Sequence, residues 1–166
     1  MNKIISIVFF ILLTTLVAGF IGSNKSGANQ PLAYNHNKHV EENGMECLDC
    51  HQYAEENPRA SIPNIEVCVD CHEEAISESE EEKILVNFIT ENKKIPWRQI
   101  YSVPDYAYFS HRRHVKLGEL ECQVCHGNVG NLTIPITRPF IEMKMNWCMD
   151  CHEKRGVSND CYACHR

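Results

Sequence analysis

The sequence predicts a mainly α fold with extensive loops, set behind an N-terminal membrane-spanning helix. Three observations predict it. The pentapeptide Cys-x-x-Cys-His occurs five times in 166 residues and uses all ten cysteines. Residues 4–22 form an uncharged apolar run behind Lys3. Residues 78–92 carry the apolar spacing of an amphipathic helix, with Ile84, Leu85, Phe88 and Ile89 on one face.

The five motifs are Cys47–His51, Cys68–His72, Cys122–His126, Cys148–His152 and Cys161–His165, numbered 1 to 5 below. This spacing is the attachment signature of c-type haem. The two thiols (Cys47 and Cys50, Cys68 and Cys71, Cys122 and Cys125, Cys148 and Cys151, Cys161 and Cys164) add to the haem vinyl groups. The adjacent His51, His72, His126, His152 or His165 becomes the proximal iron ligand. The rival readings fail on arithmetic. Zinc ribbons join two Cys-x-x-Cys knuckles around one metal, so five knuckles cannot pair off. A thioredoxin-like motif would be single and set in a βαβ pattern. A disulfide framework leaves the five following histidines unexplained.

About 144 residues outside the N-terminal run would then share five haems c, too few to build a thick peptide core. The porphyrins themselves supply the apolar interior, and the polypeptide reduces to loops and short helices. In 78–92, Ser77 with Glu80 fits a capping box, acids crowd the first turn, Lys93 and Lys94 follow, and Pro96 closes the helix. Residues 95–108 hold two prolines and four aromatics and read as an extended segment lying over haem.

The apolar run at 4–22 is long for a signal peptide and just long enough to span a bilayer. Its flank, Lys3, favours a cytoplasmic N-terminus. Residues 1–22 are therefore expected to be a membrane anchor (or an uncleaved signal), with 23–33 as a flexible tether and 34–166 as the haem domain in the periplasm. The formal charge is −6, and no basic stripe of the kind nucleic acid requires is present. The six glutamates of Glu73–Glu82 read as a solvated face rather than a docking patch.

The haem domain repeats itself. Residues 34–51 run Tyr34, His36, His39, Gly44, motif 1; residues 109–126 run Phe109, His111, His114, Gly118, motif 2's counterpart being motif 4 and motif 1's being motif 3. The organisation is a di-haem module at 34–77, a connecting helix and segment at 78–108, a second di-haem module at 109–155, and a terminal haem at 156–166. Nine histidines are present. Five are proximal, and the other four, His36, His39, His111 and His114, form two His-x-x-His pairs at matching places. Residues three apart on a helical turn share a face, so each pair can serve two neighbouring irons as distal ligands. Five irons then have four distal histidines. The fifth takes a methionine or stays open; Met45, Met143, Met145 and Met149 are candidates, with Met145 and Met143 first because they precede motif 4.

The segment FSHRRHV followed by CQVCH resembles the class III (c3/c7) cytochrome superfamily, in which an aromatic-x-His-x-x-His stretch supplies distal ligands. The order of parts is most similar to the pentahaem subunit of alternative complex III and of menaquinone reductase-type complexes. The matching parts are an N-terminal helix, WRQIYSVPDYAYFSHRRHV, MNWCMDCHEK and DCYACHR. That resemblance implies partners: an integral-membrane quinol-binding subunit, an iron–sulfur/molybdoenzyme-like subunit and a periplasmic redox partner. It implies electron transfer without a substrate site. The alternatives are a multihaem reductase with one open-faced haem, and a free periplasmic carrier.

Overall fold

The computed structural model describes residues 27–165. The expected N-terminal anchor lies outside them; among the described residues no helix is long and apolar enough to cross a membrane. Among the described residues six α-helices occur: α1 Cys47–Cys50, α2 Ile65–His72, α3 Glu80–Thr90, α4 Gln123–His126, α5 Met145–Lys154 and α6 Cys161–Cys164. Two π-helical turns, Lys38–Glu42 and Arg113–Leu117, and a short 3-10 turn, Val129–Asn131, complete the regular structure. No strand is present among the described residues; Ala107 and His165 form an isolated antiparallel bridge. The mainly helical, loop-rich expectation matches this architecture.

Every Cys-x-x-Cys-His motif lies wholly or largely on a helix or at its end, because one helical turn brings its two thiols to the same side. The helices start where side chains satisfy their free N–H groups. Asp160 accepts from Tyr162 N at 2.8 Å and opens α6. Asp49 reaches back to Glu46 N at 2.7 Å in a reciprocal box at α1. Asn64 does more than cap α2: its Oδ1 accepts from Ile65 N at 2.9 Å and Ile95 N at 2.8 Å, and its Nδ2 donates to Ile95 O at 3.0 Å.

The peptide core is small. Leu32, Ile65, Leu85 and Ile95 are buried together, with Cys68, Phe88, Ile89 and Trp97 packed around them. It sits where α3 crosses α2, beside motif 2. Tyr53, Tyr106, Leu117, Ile134, Phe140 and Tyr162 remain exposed.

Three expectations are corrected. Helix α3 begins at Glu80 with Ser79 at its N-cap. Ser77 is not part of a capping box, because its hydroxyl donates instead to the Glu82 carboxylate. Ile84 is exposed, and the buried stripe is Leu85, Phe88 and Ile89, the i, i+3, i+4 set. The resolved part of the expected tether, 27–33, is docked rather than free. Leu32 is in the core, and Gln30 Nε2 donates to Arg98 O and Ile136 O, both at 3.0 Å.

The repeat is realised as a twofold-like pairing with a constant offset of 75 positions from Tyr34/Phe109 to His51/His126. Asn37 N donates to Leu132 O at 3.0 Å, and Arg112 N donates to Asn57 O at 3.1 Å. These are the same contact made twice, each module's His-x-x-His turn gripping the loop that follows the other's first motif. Reciprocal contact of this kind is the mark of an isologous interface. His111 N to Pro58 O at 3.0 Å and the Lys116–Glu55 ion pair at 2.8 Å reinforce it.

The turn after each π-helix shows what glycine does there. Gly44 and its counterpart Glu119 both have positive φ, 68° and 49°. Gly118, which by sequence looks like the partner of Gly44, is needed for another reason. A Cβ at Gly118 would stand 2.8 Å from His114 O. Gly118→Ala should therefore displace the turn carrying His114 and lower the stability of the haem-loaded protein by roughly 1–3 kcal/mol, the cost of overpacking. Thermal denaturation followed in the Soret band measures it.

Candidate haem sites and the path between them

The two His-x-x-His pairs are held by aromatic rings. Tyr34 lies edge-on to His36 (centroids 4.7 Å) and near-parallel to His39 (4.6 Å). Phe109 repeats this with His111 (4.9 Å) and His114 (4.6 Å). One ring thus sets two imidazoles at different angles, facing two directions. The widened π-helical turn carries His39 and His114 themselves, and such turns are frequent at functional sites.

Each distal candidate faces a motif histidine. His39 and His72 have ring centroids 6.2 Å apart, His114 and His152 6.2 Å, and His111 and His126 6.4 Å. A metal–imidazole bond is about 2.0 Å and the bonding nitrogen lies about 1.2 Å from its ring centre, so two imidazoles on opposite sides of one metal have centroids about 6.3 Å apart. All three separations fit one iron between two rings. His36 has His51 as its first electrostatic neighbour, the pairing that the repeat requires by analogy with His111 and His126. Four pairs follow: His36 with His51, His39 with His72, His111 with His126, His114 with His152.

The other ring nitrogens are occupied in the way axial ligation needs. Nδ1 of His39 donates to Asn35 O (2.9 Å), that of His114 to Ser110 O (2.8 Å), that of His152 to Ser158 O (2.9 Å), and that of His111 faces Pro58 O at 3.2 Å. A carbonyl only accepts, so on His39, His114 and His152 the proton sits on Nδ1 and the Nε2 lone pair is free, whereas His111 Nδ1 also faces the donor Ala60 N at 3.3 Å. His72 differs: its Nδ1 meets the Glu82 carboxylate at 2.8 Å. His36 Nδ1 is buried without a hydrogen-bond partner. Burial pushes His36 down to about 4 and lowers His51, His111 and His126, keeping them in the neutral form that binds metal.

His165 is the odd one. All eight other histidines are used in pairs, and its ring neighbour is Tyr106, with centroids 5.8 Å apart. The 95–108 segment reaches the motifs: Tyr108 N donates to Cys164 O at 2.7 Å, while Tyr101 stands edge-on to His126 at 4.6 Å. Met145 is the first residue of α5, and its side chain is exposed, as is that of Met149. Met143 lines a shallow cleft with Ile100, Tyr101 and Ile141.

No disulfide joins any of the ten cysteines. Their neighbours order the motifs in space. Cys50 of motif 1 is next to Cys71 and Cys68 of motif 2. Cys47 of motif 1 contacts Cys122 of motif 3. Cys125 of motif 3 is next to Cys148 and Cys151 of motif 4, and Cys148 is next to Cys164 of motif 5. The spatial order is 2–1–3–4–5, with the twofold-like centre between motifs 1 and 3. Burial pushes the Cys68 and Cys122 thiols up to about 11. Among the described residues no three His, Cys, Asp or Glu side chains converge as an all-protein metal cage would require.

The chain is 30% identical over 165 aligned residues to the menaquinone reductase multihaem cytochrome c subunit of Nitratidesulfovibrio vulgaris, an alignment covering 85% of this chain and 79% of that protein. It belongs to the multihaem cytochromes c. Residues 107–166 of the cytochrome also match the family described as cytochrome c7 and related cytochrome c. Covalently bound haem c and electron transfer are the properties of that family. Within the cytochrome, the matched segment runs from the Tyr106–Phe109 stretch through the second His-x-x-His pair and motifs 3, 4 and 5.

Sequence reasoning singled out the histidines that the structure brings together but missed their supports. The positioning role of Tyr34 and Phe109 was signalled by their identical place in the two repeats. Glu82 carried no such signal; it belongs to an acidic run whose members Glu73, Glu74, Glu78 and Glu80 are exposed as expected, while Glu82 alone turns onto a motif histidine.

Proposed function

We propose that this cytochrome carries five haems c, one on each motif, and conducts electrons along the path 2–1–3–4–5. The observation that carries the reading is the set of imidazole pairs at 6.2–6.4 Å, each joining a His-x-x-His member to a motif histidine. Haem c, when bound, supplies a reversible one-electron iron couple. The chain's part is to fix the order and spacing. Cys47 and Cys122 bring the two modules together at the centre of the path, and the reciprocal bonds of Asn37 and Arg112 lock that contact. His39 and His114, each on the same turn as a ligand of the next site, couple motif 2 to motif 1 and motif 4 to motif 3. At motifs 1 to 4 the paired imidazoles would hold a bound haem iron from both sides and leave no vacant face there for a substrate.

The proposed setting is the periplasmic face of the inner membrane. Residues 1–22 anchor the domain there, within a respiratory complex that oxidises quinol or reduces quinone. An integral-membrane quinol-binding subunit and an iron–sulfur/molybdoenzyme-like subunit are the proposed partners. The support is the similarity to the menaquinone reductase subunit together with the apolar run at 4–22. Purification from membranes in mild detergent should recover the chain with Met1 intact and with larger membrane subunits. Recovery as a free, N-terminally cleaved protein would contradict this setting.

A second reading is favoured by one observation, the lack of a second histidine for His165. A methionine ligand, with Met145 the proposed residue, keeps motif 5 a pure electron relay; an open face would admit a small ligand. The oxidised protein should show a near-infrared thioether-to-iron charge-transfer band that Met145→Ala abolishes. Binding of carbon monoxide by the reduced wild-type protein would favour the open face instead.

A further inference from the structure

The two di-haem modules repeat one another, but the histidines of their second motifs differ in the partner of Nδ1. The repeat counterpart of His72 is His152, each the last residue of its Cys-x-x-Cys-His. His152 Nδ1 donates to a backbone carbonyl, Ser158 O, at 2.9 Å. His72 Nδ1 donates to a carboxylate, Glu82 Oε1, at 2.8 Å. The distal members match: His39 and His114 both donate to carbonyls four residues back, Asn35 O and Ser110 O. The imidazole separation matches too, 6.2 Å in both pairs. The carboxylate is therefore the difference in hydrogen-bonding chemistry between the two pairs, whose ring planes are tilted by 55° and 31°.

Glu82 is not a passing surface side chain. It stands on the first turn of α3, the helix that packs over α2, and its side chain is only 9% exposed. Besides His72, it accepts from Ile76 N at 3.0 Å and from the Ser77 hydroxyl. The loop Glu73–Ser79 thus folds around this one carboxylate, and the small peptide core of Leu85 and Ile65 fixes the helix that bears it.

We infer that Glu82 sets the potential of the haem held by Cys68, Cys71 and His72, and makes motif 2 the low-potential end of the electron path. The inference rests on the five-haem reading above. A charged acceptor pulls harder on an N–H than a carbonyl does. The Nδ1 proton of His72 is drawn toward Glu82, and the ring becomes a stronger donor at Nε2. A more basic axial imidazole stabilises ferric over ferrous iron and lowers the potential. The Ser77 and Ile76 donors moderate this by occupying part of the same carboxylate. Motif 2 also lies at one end of the 2–1–3–4–5 order, so its potential governs how readily electrons enter or leave the chain there.

Haem-peptide mapping of the loaded wild-type protein comes first. Absence of haem on Cys68 and Cys71 overturns the five-haem reading and this inference with it. With haem there, spectroelectrochemical titration of Glu82→Gln should move one component of five to more positive potential and leave the other four in place. The low-spin ferric resonance of one site should change with it. Ser77→Ala removes a competing donor but keeps the carboxylate, and should move the same component the opposite way. No shift in either variant, or an equal shift of all five components, would overturn the role of Glu82 while leaving the haem reading intact. Opposite displacements in the two variants could not arise from a merely loosened loop.

Discussion

Protein produced without haem attachment should not fold. Expressed in a cytoplasm lacking c-type maturation, residues 27–166 should give a far-ultraviolet spectrum dominated by disorder, bind hydrophobic dyes and unfold without a cooperative transition. The physical reason is the core: five apolar side chains, Leu32, Ala54, Ile65, Leu85 and Ile95, are buried in the whole described chain. Four of these gather beside motif 2. Nothing comparable supports motifs 3, 4 and 5, where α4 and α6 are single turns of four residues. Isolated helices of that length are unstable in water, and chains without a sufficient core depend on a bound group for their fold. The loaded protein should in contrast melt cooperatively at high temperature. A cooperative transition in the haem-free chain, monitored by circular dichroism, would show that the polypeptide supplies more of the interior than its side chains indicate.

Removal of a single distal histidine should open a single site. In the reduced protein, His39→Ala, His111→Ala and His114→Ala should each add one equivalent of carbon monoxide binding over wild type, because each removes one partner from a pair 6.2–6.4 Å apart. The opened site should also become high-spin in the ferric state and shift to higher potential, since one strong imidazole donor is lost. The variants should differ in what else they disturb. His111 and His36 serve motifs 3 and 1 at the centre of the path, so His111→Ala should slow transfer between the ends more than His39→Ala, which alters an end site. Optical titration with carbon monoxide, together with flash-induced electron transfer, reads both effects. Identical carbon monoxide stoichiometry in variant and wild type would dissolve the pairing.

The haem-attachment motifs were legible in the sequence because covalent haem attachment leaves an unmistakable local spacing. The His-x-x-His pairs were legible because they occur at the same offset in two repeats. What the sequence withheld was assignment. Nothing local says that His39 faces His72, thirty-odd residues on, rather than His51, which follows sooner. That pairing is a tertiary contact within the first module, beside Tyr34, whose ring sets the two imidazoles at different angles. The spatial order was withheld for the same reason. Motif 1 lies between motifs 2 and 3 because the two modules join through their first motifs, Cys47 against Cys122. Only long-range contacts such as Asn37–Leu132 reveal it. The helix at 80–90 was readable from its apolar spacing. Its cap was misread because Ser77 has a stronger partner in Glu82 than in a helix N–H, and a short sequence window cannot weigh a tertiary acceptor against a local one.

The central claim is that four irons lie between imidazole pairs and the fifth does not. Near-infrared magnetic circular dichroism of the fully oxidised protein tests it most directly, because its charge-transfer bands report axial ligands and their intensities count sites. The account predicts four equivalents of bis-histidine signal and one distinct component belonging to His165. Five equivalent bis-histidine sites, or fewer than four, would contradict it.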